Sequence, residues 1–258
     1  MKKNLIFVLL LSLCLVLAAC GGEKDVAGKV ETIGETAEVP VGTVAPVETL
    51  PPETTVPPTT VPETTAPPER EVSLGRMEGG VYTNEYVGYG CTLSADWTFK
   101  SAQELQEIPD NVAQILNGSE VGEIVQGLEQ VMDMSADNVS EITTMNVLYQ
   151  KLTLEERIAY AVMTEEEVID GLLEIQSTLA AGYEQAGMTV ISMEKKEVTF
   201  LGEPHYALYT QISVGDVPYY VLQLMHTNLG SYNVTTTVGS FVEDKTDSLL
   251  DLFYPLEK

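Results

Sequence analysis

The residues able to do covalent or acid–base chemistry are few and poorly grouped. The chain has 258 residues, with three cysteines and two histidines. Nucleophilic catalysis wants a serine or cysteine beside a histidine that a third group orients. His205 falls at the start of one strand pattern and His226 in the later half of another, neither in a recognisable motif, so both read as structural and Cys91 reads as core. Zinc needs three or four ligands at tight local spacing, and no such spacing occurs in the sequence. Asp133, Asp137 and Glu141 could gather around Ca²⁺, but they lack the glycine and the terminal glutamate of a calcium loop and read as a solvated loop. A pair of carboxylates suited to glycoside hydrolysis would arise by chance among 39 acidic residues. Gly88-Tyr89-Gly90 lacks the third glycine and the helix that would aim amides at phosphate. What remains is tyrosine. Tyr206, Tyr209, Tyr219, Tyr220 and Tyr232 lie on three neighbouring strand patterns, where exposed rings could stack on sugars or anchor a protein partner. The first four form the candidate binding surface, with plain sheet-core packing as the competing reading.

The elements that position these groups begin with an export segment. Met1-Lys2-Lys3-Asn4 is a short basic start, and residues 5–17 are almost wholly apolar, the order of a secretory signal peptide. The run is shorter than the ~20 apolar residues a membrane-spanning helix needs. It ends in Leu17-Ala18-Ala19-Cys20, which resembles the lipobox of bacterial lipoproteins at all four positions. That resemblance implies cleavage before Cys20 and a diacylglyceryl group on its thiol, leaving a signal peptide at 1–19. Acyl chains bury at ~0.8 kcal/mol per CH₂, and two or more hold a protein stably on a membrane. The expected location is therefore the extracellular face of the cell membrane.

The formal net charge is −26, and loss of Lys2 and Lys3 with the signal leaves 11 basic against 39 acidic residues, a net charge of −28. Nucleic-acid binding needs a basic footprint, so that partner class is excluded. With Cys14 removed and Cys20 acylated, Cys91 has no disulfide partner, and the exported fold must hold itself by core burial. Residues 20–80 read as a disordered acidic tether. From 21 to 80 there is no aromatic residue, and the tract around Pro51, Pro57, Pro62 and Pro67 repeats Pro and Thr. Proline fixes φ and removes donors, so the tract favours extended polyproline II and reaches ~55 to 60 Å at ~3.1 Å per residue.

Residues 81–258 read as one α/β domain. Strand patterns cover 86–93 and 143–153, with Trp97 just after a turn. Short helices are predicted from Ser101 to 107, from Pro109 to 117, and from a Ser119 cap through Val131 and Met132. Thr164-Glu165-Glu166-Glu167 is a capping box opening a helix that runs to Gly187. Residues 190–201, 205–214, 217–227 and 232–239 form a four-stranded antiparallel meander, with turns at Gly215-Asp216 and 228–230. A closing helix is predicted over 244–253.

Tyr82-x-Asn84-x-Tyr86, the glycine-rich strand, the turn before Trp97 and this order of elements resemble PsbP-like lipoproteins of anaerobic Gram-positive bacteria. The resemblance implies an α+β fold, an antiparallel sheet with helices on both faces, and a role that is not enzymatic; no cofactor or metal is expected, since the sequence offers no constellation to hold one. The expected function is a membrane-anchored module that binds or assembles another envelope protein. The alternatives are a glycan or small-ligand module using the sheet tyrosines, and a hydrolase with an unrecognised acidic site.

Overall fold

A computed structural model describes residues 72–116 and 127–257. The export segment, Cys20, most of the tether and the stretch expected to start the Ser119 helix lie outside the described residues. Within them the chain is a mixed α+β fold with antiparallel sheets. The strands are β1 (Arg76–Glu78), β2 (Val81–Asn84), β3 (Tyr89–Thr92), β4 (Trp97–Phe99), β5 (Gln130–Asn138), β6 (Thr143–Lys151), β7 (Met188–Phe200), β8 (Glu203–Val214), β9 (Val217–Leu229), β10 (Tyr232–Phe241) and β11 (Phe253–Pro255). They form a seven-stranded sheet in the order β4-β5-β6-β10-β9-β8-β7 and a four-stranded sheet in the order β1-β2-β3-β11.

The β7–β10 meander forms where the alternation and the turn residues place it. Leu201-Gly202 and Gly215-Asp216 close two of its hairpins, with Leu201, Gly202 and Gly215 all at positive φ, as turns matching the right-handed twist of the strands require. Gly239 in β10 has a different reason to be glycine. A Cβ there would lie 2.2 Å from the Tyr219 hydroxyl.

Five helices complete the described fold: α1 (Ala102–Ile115), α2 (Leu154–Tyr160), α3 (Glu165–Leu173), α4 (Gln176–Gln185) and α5 (Thr246–Leu250). Capping boxes open the first three, at Ser101/Glu104, Thr153/Glu156 and Thr164/Glu167, each satisfying two otherwise orphaned amides. Side chains from α1 to α4 meet one face of the large sheet in a core that includes Leu105, Val112, Tyr160, Ile169, Leu172 and Tyr183. The opposite face meets the small sheet in a second core, where Tyr82, Tyr89 and Cys91 pack with Met145, Val147 and Tyr149, joined by Leu249 and Leu250 of α5. Strand β6 is buried from Thr143 through Gln150 because alternate residues serve each core.

Several elements differ from expectation. Val131 and Met132 belong to a strand, β5, and not to a helix, and Asp133 and Asp137 are strand residues and not loop ligands. Asp133 is buried. Pro109 lies inside one continuous helix instead of starting a second, because Leu105, Ile108 and Val112 make a single buried stripe across it. The long helix after Thr164 breaks at Ile175, whose φ of −111° is not helical. Thr153 ends no strand; it caps α2. The closing helix is cut to five residues, and Phe253 pairs with Cys91 as part of β11. The folded region starts before Val81, since β1 pairs with β2. Tyr86 and Val87 lie in a turn, where the Asn84 side-chain carbonyl accepts both their amides.

Candidate binding sites

The tyrosines do not share a surface. Tyr219 is buried, stacked on Phe241 at 4.1 Å between ring centroids, with its hydroxyl 3.1 Å from Thr144 Oγ1. Tyr206 packs against the same helix-side core under the Lys195 ammonium. Tyr209 lies against the opposite core, under Lys196, and donates its hydroxyl to Asp244 at 2.9 Å. Strand pairing places Tyr220 opposite Gln211, hence on the Tyr209 side. The candidate surface of Tyr206, Tyr209, Tyr219 and Tyr220 is therefore divided between two faces, with Tyr219 inaccessible. Period-two alternation separates residues that sequence proximity groups.

The histidines, by contrast, come together. His205 on β8 and His226 on β9 stand with ring centroids 6.4 Å apart, in a pocket of about 280 Å³ walled by Val87, Leu201, Met225 and Leu229. Their meeting follows from the hairpin turn. Each lies ten residues from Gly215-Asp216, so a two-residue turn sets them across from one another. The β8–β9 ladder ends at Leu208 and Gln223, before it reaches them. Into that opening the first turn of α3 sends Glu165. Its carboxylate accepts the Tyr206 amide at 3.0 Å and contacts His205 Nδ1 at 2.9 Å. A carboxylate only accepts, so His205 Nδ1–H donates this hydrogen bond to Glu165, and the contact orients the ring in the pocket wall.

His226 is held differently. Burial, reinforced by His205, lowers its pKa to about 4, so the ring is neutral. Its Nε2 lies 3.2 Å from Thr236 Oγ1, which shares a 2.6 Å hydrogen bond with the Tyr89 hydroxyl. Tyr89 and Phe200 pack edge-on behind it at 5.4 Å. The result is a pocket with apolar walls, one imidazole oriented by Glu165 and a neutral polar network at its back. Among the described residues no group of three histidine, cysteine or acidic side chains is placed to hold a metal ion. Along the sequence the two histidines stand apart; register counted outward from Gly215-Asp216 is the signal that pairs them.

Two other polar centres are structural. Buried Asp133 accepts from the Gly75 amide at 2.7 Å, from the Tyr82 hydroxyl at 2.6 Å and from Asn84 Nδ2 at 2.6 Å. Burial raises its pKa, while these three donors oppose the shift. Asn84 Nδ2 also donates to Tyr149 at 2.7 Å, so the cluster fastens the small sheet to β5 and β6. Cys91 is fully buried in the second core, and burial pushes its thiol up to about 12. Asp137 pairs with Lys100, and Glu141 with Lys245 at 2.8 Å, so Asp133, Asp137 and Glu141 serve three separate partnerships instead of one cation. No protein-family model matches the chain, and no curated protein matches it in sequence.

Proposed function

We propose that this chain is a non-enzymatic surface lipoprotein, anchored through acyl chains on Cys20, whose folded domain is a binding module carried away from the membrane by the Pro/Thr tether. The finer architecture that goes with this reading is the PsbP-like one, with helices on both faces of the antiparallel sheet; it is supported by α1 to α4 against one face and by α5 beside the small sheet on the other. The lipobox tetrapeptide and the proline spacing support the anchor and the tether. The observation that carries binding is the pocket between β8 and β9. Apolar walls with a few convergent polar groups are the usual form of a small-molecule site, and Glu165 holds the His205 ring in that wall. The ligand has a small apolar body and one hydroxyl or amine donor for His205 Nε2.

A fragment set of small alcohols, phenols and amines, screened by NMR against the mature protein, tests this. Hits that shift the His205 imidazole resonances and vanish in His205→Ala are expected. If no fragment perturbs His205, the small-ligand reading falls. A second reading, docking to another envelope protein, is favoured by aliphatic side chains that stand exposed at the other end of the large sheet.

A further inference from the structure

At the end of the sheet away from the histidine pocket, four aliphatic side chains are in water. Val139 is 83% exposed, Ile142 52%, Val217 42% and Val242 57%. They come from the β5–β6 turn, the start of β9 and the end of β10, with half-buried Trp97 at the near end of β4. At ~4.8 Å per strand, the row from β4 to β9 spans ~20 Å. It is held together by backbone hydrogen bonds, from the Phe241 amide to the Ile142 carbonyl at 3.0 Å and from the Val242 amide to the Pro218 carbonyl at 2.9 Å.

Two members of this row adopt backbone that their side chains disfavour. Ile142 has φ +53° and Val242 φ +70°, and a β-branched residue at positive φ is a genuine outlier. Glycine or asparagine would sit there without strain. Strain of this kind persists where surrounding structure enforces it, and it clusters at functional surfaces. The rim is acidic. Asp96, Asp216, Glu243 and Asp244 are exposed around the row, and the nearby cations Lys100 and Lys245 are already paired with Asp137 and Glu141. The chain enters the domain elsewhere, since Gly75 is bound to Asp133, five residues along β5 from Asn138 and ~17 Å away at ~3.3 Å per residue.

The geometry points to this tip, Trp97, Val139, Ile142, Val217 and Val242, as the docking surface for a second protein that presents apolar side chains inside a basic rim. Aliphatic side chains and a tryptophan supply the desolvated centre of such a contact, and the acid rim steers a basic partner and rejects acidic ones, including a second copy of this chain. The inference rests on the protein-partner reading above and is independent of the pocket.

The test uses the full lipidated chain in its own cells, with a photo-crosslinking residue at Val139 or, as control, at exposed Glu184 on α4. The expected result is one discrete protein captured from position 139, through a segment of net positive charge, with a yield that falls as ionic strength rises. The double variant Ile142→Gly and Val242→Gly keeps the backbone path and relieves its strain. It should melt at or above the wild-type temperature while losing at least ~10-fold in capture yield, as expected when two aliphatic side chains are removed from an apolar contact. Capture from position 184 but not 139 would overturn the tip assignment and leave the protein-partner reading standing. Capture of a second copy of the chain, or of a partner whose yield the double variant leaves unchanged, also overturns it. No protein captured from either position overturns both.

Discussion

His226 ties the pocket to a measurable pH dependence. Its pKa is about 4 in the folded protein, against ~6.5 for an unperturbed histidine. The unfolded chain therefore binds the proton more tightly, and stability rises with pH across that window. The contribution is complete above about pH 6.5 and is lost as the pH falls toward 4. Evaluating the linkage gives a loss of ~2 kcal/mol by pH 5 and ~3 kcal/mol by pH 4. Carboxylates titrate in the same range, so the wild-type curve alone does not isolate the ring. His226→Phe does. Phenylalanine keeps the packing against Phe200 and Tyr89 and gives up the Thr236 hydrogen bond, at a cost of ~1 kcal/mol. In urea unfolding the variant should be less stable than wild type at pH 7.5 and more stable at pH 4.5. Parallel stability curves across that range would refute the claim that burial holds this ring neutral.

Asp133→Ala strands the Gly75 amide, the Tyr82 hydroxyl and Asn84 Nδ2. At ~1–3 kcal/mol for each buried donor left unpaired, a loss on the order of 4 kcal/mol in urea unfolding is expected, and a change below ~1 kcal/mol would mean the small sheet is held in some other way. Cys91, buried with its thiol pushed up to about 12, should resist a disulfide reagent at pH 8 in the native protein and react fully in urea; fast native labelling would place it outside the core. Thr164→Ala removes the cap whose hydroxyl accepts the Glu167 amide at 3.2 Å and should cost ~1 kcal/mol, read as a lowered melting temperature, with an unchanged melt counting against the capping role.

What could be read in the sequence divides by the range of the forces involved. The β7–β10 meander and the Thr164 box depend on residues close in sequence, a turn glycine or a hydroxyl three residues from a glutamate, so they appear locally. Thr153-x-x-Glu156 has the same form and was equally legible. Strand β5 was not, because Asp133 and Ser135 are buried polar residues whose partners come from elsewhere in the fold, and they blur the hydrophobic alternation. Strands β6 and β10 were legible, but not that their helix-facing side is core, because Thr144, Asn146, Gln150 and Asn233 occupy buried positions there. Strand β11 has three residues and exists only because β3 offers an edge. The tyrosine surface failed on register, since side chains a few residues apart fall on opposite faces. The histidine pair was within reach by counting outward from Gly215-Asp216, but Glu165, 40 residues from His205 along the chain, required α3 to be placed against the end of β8.

Native mass spectrometry of the protein released in mild detergent from its own membranes tests the anchored binding module most directly. The expected species begins at Cys20, carries diacylglyceryl on its thiol and holds a small non-covalent adduct that His205→Ala loses. A polypeptide with no acyl mass, showing the same spectrum with and without His205, would contradict both the anchor and the pocket.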